Sequence, residues 1–113
     1  MRAWVEGVVL DVSDLDRSEA FWTGLLGLER IRRRDQYLYL SGLAQGMMLI
    51  LQQVPDPKTA KNRMHVEVRA VDPQATIDWV LDNGGRLVGD HETDWYSLVV
   101  MADPDGNEFC VGR

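Results

Sequence analysis

Three ionisable side chains, His65, Glu67 and Arg69, alternate with two valines along one short stretch of the chain. Because successive side chains of a β-strand point to opposite faces, a strand here places the valines on one face and the ionisable groups on the other. Such a row is costly to bury unless water, a partner or a ligand satisfies it. His65 is a candidate general acid or base, since imidazole changes charge near neutral pH. The alternative is a histidine hydrogen-bonded to neighbouring carboxylates.

Two carboxylates accompany this histidine as candidate catalytic groups. Glu67 and Glu108 are predicted to form a pair that tunes His65 or handles a proton itself. For Glu67 the favoured alternative is an ion pair with Arg69 or Arg63, which would leave it no part in chemistry.

A thiol and two polar side chains are further candidates for contact with a ligand. As a nucleophile, Cys110 would need a lowered pKa and an adjacent base such as His65, and a small buried filler is the favoured alternative. Gln52 is expected to orient a substrate carbonyl or hydroxyl, or to satisfy backbone groups at a strand end. Asp11 is included as a ligand contact, although its place beside a helix start favours a cap or an arginine partner.

Aromatic side chains at four positions are candidate walls for a flat ligand, namely Trp22, Tyr37, Tyr39 and Trp95. Three of them lie in segments that alternate like strands, where most aromatic residues pack in a core and a minority face a ligand. Trp22 follows Phe21 on a predicted helix. At most one of these two is expected to face the core, and packing is the expected role of Phe21.

The composition excludes several classes of function. The 113 residues predict a single domain, and 18 acidic against 12 basic residues give a net charge of -6, which disfavours a nucleic-acid partner. Two histidines and one cysteine cannot supply a four-ligand Cys/His zinc site. With no secretory signal pattern and no apolar run near ~18 residues, we expect a cytoplasmic protein with no membrane partner.

One basic cluster stands out in this acidic chain. Four arginines fall between Arg30 and Arg34. The favoured interpretation is a solvated strand edge, which also discourages pairing with other chains. The alternative is capture of an anionic group of a substrate, such as a carboxylate or a phosphate.

The elements that position these residues repeat once along the chain. In the first half, Asp14 and Gly27 are predicted to cap a helix that is preceded by one strand and followed by three. These strands are predicted at Val8–Val12, Arg30–Arg34, Gln36–Leu40 and Met47–Gln53, with a turn over Gly42–Gly46 before the last.

The second half predicts the same order of one strand, one helix and three strands. Asp72 and Pro73 are predicted to begin its helix, and the pair Gly84 and Gly85 to end it. Its strands are predicted at Met64–Ala70, Arg86–Gly89, Trp95–Met101 and Glu108–Val111. Sliding the chain by 58 residues aligns the two helix caps and the two helix ends, which indicates a duplicated module. Module one is assigned to residues 1–54 and module two to 64–113, with a polar linker at Pro55–Arg63.

Two such modules resemble the vicinal oxygen chelate superfamily, which includes glyoxalases, extradiol dioxygenases and bleomycin-resistance proteins. Residues 12–18 with Phe21 and Trp22 resemble its opening motif V-x-D-L-x-x-S-x-x-F-Y, and residues 102–107 resemble its D-P-D-G-N turn. Residues 61–65 and 107–110 are similar to the small glyoxalase-like branch. The resemblance implies an α+β fold in which two βαβββ modules form an incomplete barrel with a central cleft, and it implies a homodimer.

The resemblance also implies four metal-ligand positions, which fall on Gly7, Ile50, His65 and Cys110. Only His65 keeps the ligand type of the family, so we expect the usual metal centre to be absent and no cofactor to be needed. If a divalent metal does bind, His65, Cys110 and Glu108 are the candidate ligands.

The expected activity is metal-independent proton transfer, of lyase or isomerase type, on a small organic molecule in the cleft. Without a metal, electrophilic help must come from hydrogen-bond donors. Three alternatives remain open. These are non-catalytic sequestration of a planar compound, a metal-dependent lyase or dioxygenase with an atypical ligand set, and a domain whose cleft is vestigial.

Overall fold

A computed structural model describes residues 5–94 and 97–113, so Trp95 lies outside the described residues. The chain divides into two compact units, Met1–Pro57 and Lys58–Arg113. This division falls inside the predicted linker, in which no helix or strand forms.

Each unit contains one helix and one four-stranded sheet. Unit 1 contains β1 (Gly7–Val12), α1 (Leu15–Leu26), β2 (Glu29–Arg34), β3 (Tyr37–Ala44) and β4 (Met47–Gln53). Unit 2 contains β5 (Val66–Arg69), α2 (Pro73–Asp82), β6 (Arg86–Glu92), β7 (Ser97–Ala102) and β8 (Glu108–Gly112).

The two sheets have the same topology. Their strand orders are β1-β4-β3-β2 and β5-β8-β7-β6. In each, the first strand pairs in parallel with the last, and the other pairs are antiparallel. The predicted α+β fold of two βαβββ modules is therefore confirmed.

Both helices begin and end at the residues that local chemistry favours. The side chains of Asp14 and Asp72 accept hydrogen bonds from backbone N–H groups three residues on, which satisfies donors that a helix start leaves unpaired. Gly27 ends α1 with φ of 67°, a left-handed conformation that costs glycine little. After α2 the backbone passes close to the last residue of β7, Ala102. Only glycine fits at position 85, because a Cβ on Gly85 would lie 2.8 Å from the carbonyl oxygen of Ala102.

The core of unit 1 lies between its sheet and α1. Alternate leucines of β3 and β4 are almost completely buried, and Phe21 and Trp22 are each 2% exposed. The two rings meet edge to face, with their centroids 5.3 Å apart. The prediction that at most one of them faces the core was wrong, because both are buried. This burial favours core packing of Trp22 over contact with a ligand.

Among the described residues, three strands differ from the predicted ones by two or more residues at one end. β3 continues to Ala44, through a part of the predicted turn, because a register shift after Ser41 accommodates Gly42 with φ of 98°. β5 is shorter than predicted and begins after His65, whereas β6 runs on to Glu92. Within the described residues, no helix is long and apolar enough to cross a membrane.

Candidate functional site

A cavity of about 1030 Å³ lies in unit 2, on the sheet face that carries the ionisable row. Strand pairing sets Glu67 opposite Cys110, and Cys110 opposite Val100. The opposite face of the sheet holds the fully buried Phe109 and Val111. The cavity is lined by His65, Glu67, Arg69, Glu108 and Cys110 among others, so the structure brings these five predicted residues together.

His65, Glu67 and Arg69 all remain exposed on the wall of this cavity. Within residues 5–94 and 97–113, none of the three side chains takes part in a hydrogen bond or an ion pair. The ion pairs considered for Glu67, with Arg69 or Arg63, do not form there, and neither does a hydrogen bond from His65 to a carboxylate. The row is therefore available to a ligand.

Glu108 lines the same cavity but is held by its own unit. Its Oε1 accepts hydrogen bonds from the backbone N–H of Asn62 at 3.1 Å and from the Nζ of Lys61 at 3.3 Å. Burial raises the pKa of Glu108, but the bonds from Asn62 and Lys61 outweigh this effect and bring the pKa below its usual value. Glu108 is thus an ionised, anchored carboxylate, and no described hydrogen bond joins it to His65 or Glu67.

Cys110 forms part of the cavity floor and is 5% exposed. Burial, followed by the negative charge of Glu67, raises the pKa of its thiol. A nucleophilic cysteine needs the opposite shift, so the surroundings favour the filler role of Cys110.

Four further candidates, Asp11, Gln52, Tyr37 and Tyr39, lie in unit 1, on the sheet face opposite α1. Gln52 pairs with Asp11 on one side and with Tyr37 on the other, so all three share this face. The Nε2 of Gln52 lies 3.4 Å from the hydroxyl of Tyr37, and the rings of Tyr37 and Tyr39 have centroids 6.4 Å apart. The role of satisfying backbone groups, considered for Gln52, falls to Gln53, whose Oε1 accepts from the N–H of Leu15.

Asp11 does not cap the helix as its position had favoured. The side chain that accepts from the first turn of α1 belongs to Asp14. Asp11 is exposed on the open face of the sheet.

Comparison with known proteins identifies the family. The family model described as a glyoxalase-like domain matches residues 7–112. The chain belongs to this glyoxalase-like family. No curated protein gives a significant match.

Solved structures resemble this glyoxalase-like domain over almost its whole length. The fosfomycin resistance protein FosX from Listeria monocytogenes has a TM-score of 0.79 and 14% identity, covering 99% of this chain and 93% of its own. A glyoxalase/bleomycin resistance protein/dioxygenase family enzyme from Burkholderia phytofirmans PsJN has a TM-score of 0.75 and 17% identity, covering 97% of this chain and 98% of its own. A glyoxalase family protein from Enterococcus faecalis has a TM-score of 0.72 and 18% identity, covering 97% of both chains. At these identities the likeness shows a shared fold.

The metal-ligand positions of this glyoxalase-like domain do not fit the usual metal centre. A Cβ at Gly7 would lie 2.7 Å from the carbonyl oxygen of Met48, so the position leaves no room for a donor side chain unless the strands shift. Ile50 carries no donor atom, and Cys110 holds its proton tightly. Across the part of the chain that the structure describes, no group of three or more His, Cys, Asp or Glu residues could hold a metal ion.

Three residues that line the cavity of this glyoxalase-like domain or hold its carboxylate, Lys61, Asn62 and His91, were not predicted as site residues from the sequence. Lys61 and Asn62 hold the carboxylate of Glu108, although they precede it by more than forty residues and lie in a segment without helix or strand. His91 lines the cavity from β6, a strand that was predicted to end at Gly89. For His91 the only indication in the sequence was a continuation of the β6 strand beyond Gly89. Nothing in the sequence around Lys61 indicated its hydrogen bond to Glu108.

Proposed function

We propose that this glyoxalase-like domain binds a small polar organic molecule in the cavity of unit 2 and transfers a proton on it, without a metal. The observation that carries the proposal is the row of His65, Glu67 and Arg69. These three side chains are unpaired within the described residues and line a cavity of about 1030 Å³, a volume suited to a small organic ligand.

Each member of the row has a distinct role in the proposed reaction. Glu67 takes a proton from a carbon next to a carbonyl group, and His65 returns a proton to the product. The electron pair of the broken C–H bond moves onto the carbonyl oxygen, or expels a leaving group in an elimination. Arg69 donates hydrogen bonds to the oxygen on which negative charge develops.

Solvent deuterium exchange tests this reaction across a range of possible substrates. A panel of 2-oxo acids and 2-hydroxy ketones is incubated with the protein in D₂O, and proton NMR follows loss of the signal next to the carbonyl. We expect exchange of at least one compound, slowed about 100-fold or more by Glu67→Gln or by His65→Ala. Glu108→Gln is the matched control, because Glu108 lines the same cavity while bonded to Lys61 and Asn62, and we expect exchange within a few-fold of the parent.

Equal exchange rates in the parent and in the Glu67→Gln, His65→Ala double variant would sink the proposal. Loss of exchange in Glu108→Gln alone would contradict it as well, since that carboxylate has no part in the proposed proton transfer. Circular dichroism of each variant excludes unfolding as the cause.

Sequestration of a ligand is the second candidate function. It is favoured by the partly exposed rings of Tyr37 and Tyr39, which lie side by side on the open face of unit 1. A planar compound that binds tightly, is recovered chemically unchanged and shows no deuterium exchange would favour this function over catalysis.

Two wider parts of the proposal, a homodimer and a cytoplasmic location, rest on the family resemblance and on the composition. Light scattering coupled to size-exclusion chromatography tests the dimer. A mass near the 12.8 kDa of one chain would contradict it.

A further inference from the structure

The four arginines of β2 fall into two pairs with different surroundings. Arg30 binds Glu19 of α1 through two hydrogen bonds of 2.7 and 2.5 Å, and Arg33 binds Asp16 of α1 at 2.6 Å. The hydrogen bond from Arg30 also lowers the pKa of Glu19. These two arginines tie the edge strand to the helix.

The other pair, Arg32 and Arg34, lies on the opposite face because β2 contains a register shift. Arg30 pairs with Leu40, and the next paired residue is Arg32, opposite Tyr39. Ile31 is the extra residue of a β-bulge. Regular alternation from Arg30 would have set Ile31 on the tyrosine face in place of Arg32.

Strand pairing arranges the open face of unit 1 in rows. The two rows that include arginine are Asp11, Gln52, Tyr37 and Arg34, and then Val9, Ile50, Tyr39 and Arg32. Each row thus runs from an arginine on β2, across a tyrosine on β3, to β1 at the other edge of the sheet. Residues directly opposite on neighbouring strands have Cβ atoms about 5 Å apart, so each guanidinium can reach a group bound over the adjacent ring.

Neither Arg32 nor Arg34 has an ion-pair or hydrogen-bond partner among the described residues, and both are exposed. The acidic side chain in the row of Arg34 is Asp11, three strands away, at about 14 Å. At that separation, in solvent, the carboxylate is screened from the arginine. Both guanidinium groups are therefore without an ion pair within the described residues, at the rim of an aromatic and aliphatic surface, and their acidic neighbours are Glu29 on the same face of β2 and Asp35 beside Arg34.

We propose that this face of unit 1 binds a planar organic anion, with its ring over Tyr37, Tyr39 and Ile50 and its carboxylate or phosphate at Arg32 and Arg34. Aromatic rings offer flat apolar area, and arginine binds these oxyanions through paired hydrogen bonds. The chain as a whole is acidic, so a ligand with one or two negative charges fits better than a polyanion. This binding does not depend on the reaction proposed for unit 2.

Binding of three matched probes tests the proposal. The probes are 1-naphthoate, 1-naphthyl phosphate and the neutral 1-naphthamide, titrated by calorimetry and by backbone NMR shifts. We expect the two anions to bind at least tenfold more tightly than the amide, with the largest shifts in β2 and β3. Comparison of the carboxylate with the phosphate identifies the preferred anion.

The strand supplies its own matched control. Arg32→Gln with Arg34→Gln removes two charges from the tyrosine face, and Arg30→Gln with Arg33→Gln removes two charges from the helix face. We expect the first double variant to weaken naphthoate binding about tenfold or more and the second to change it less than about threefold. If loss of the helix ion pairs unfolds the second double variant, Arg33→Gln alone is compared with Arg34→Gln alone.

Three results would each overturn the proposal. They are equal weakening by the two double variants, equal affinity for the amide and the anions, and shifts confined to unit 2. Loss of deuterium exchange in His65 or Glu67 variants leaves these outcomes unchanged, so failure of the proposed reaction is distinguishable from failure of the anion site.

Discussion

Glu67 and Glu108 stand on neighbouring strands and line one cavity, yet their surroundings differ completely. Glu67 is exposed and unpaired within the described residues, whereas the side chain of Glu108 is 10% exposed and bonded to Lys61 and Asn62. From the sequence, both were candidates for the same task, which is to tune His65 or to transfer a proton. The contacts of Glu108 anchor it within unit 2, whereas the absence of described contacts at Glu67 supports the ligand contact that we propose for it.

Glu108→Gln is expected to lower the free energy of unfolding by about 1 kcal/mol at pH 7, since it weakens the bonds from Asn62 and Lys61. The pKa of Glu108 is lower in the folded protein, so its stabilising effect is present above the unfolded pKa and is lost as the pH falls through the folded pKa. The free energies of unfolding of parent and variant in urea should therefore differ at about pH 7 and converge as the pH falls through the folded pKa of Glu108, which lies below its usual value.

Glu67→Gln is the control for this measurement, because the carboxylate of Glu67 has no described partner to lose. We expect its free energy of unfolding to stay within about 0.5 kcal/mol of the parent at every pH. A loss as large as that of Glu108→Gln would contradict the assignment of the two roles.

The raised pKa of Cys110 predicts an unreactive thiol. Burial and the charge of Glu67 both favour the protonated form, and only the thiolate attacks an alkylating reagent. Iodoacetamide at about pH 7.5 should modify the folded protein at least tenfold more slowly than the urea-unfolded chain, as followed by mass spectrometry. Glu67→Gln should raise the folded-state rate, and equal rates in folded and unfolded protein would restore Cys110 as a candidate nucleophile.

At the scale of elements, replacing aspartate by alanine is expected to change the free energy of unfolding differently at the two ends of α2. Asp72 accepts from the N–H of Ala75 at the start of the helix, whereas Asp82 places a negative charge at its last residue. Asp72→Ala should lower the free energy of unfolding by about 1 kcal/mol, and Asp82→Ala should raise it slightly or leave it unchanged. Thermal or urea unfolding checks both, and a destabilising Asp82→Ala would contradict the electrostatic argument.

Elements with local signals were predicted closely from the sequence. Asp14, Gly27 and Asp72 act within one or two turns of chain, and each has the role that its type and position indicated. The alternation of β5 likewise placed Glu67 and Arg69 on one face, because a strand has a fixed period of two, and His65, which directly precedes the strand, lines the same cavity.

Features that depend on distant residues could not be predicted in the same way. The hydrogen bond from Lys61 to Glu108 joins segments that are far apart in sequence. The burial of both Phe21 and Trp22 depends on how α1 meets its sheet. The β-bulge at Ile31 determines which arginines face the tyrosines, but no residue pattern in this run of arginines predicts it.

At the scale of the whole molecule, the duplication suggested by the 58-residue offset has a clear structural counterpart. Both units run through strand, helix and three strands, and both sheets have the first strand beside the last. Their open faces nevertheless differ in chemistry. Unit 1 presents tyrosines and arginines, whereas unit 2 presents a histidine, a carboxylate and an arginine around a cavity.

The small size of each unit gives a prediction about fragments, because we expect neither unit to be stable by itself. A chain of about 60 residues buries only about 60% of the surface that it exposes when unfolded, so its core offsets the entropy of folding poorly. We expect separately expressed residues 1–57 and 58–113 to lack a cooperative thermal transition, by circular dichroism at 222 nm, under conditions in which the intact chain has one. Residues 1–57 and 58–113 produced together, which places the same break in the segment without helix or strand, are the control for the break itself. A fragment that melts cooperatively near the transition temperature of the intact chain would show that one module is a complete domain, and the single-domain prediction would then be wrong.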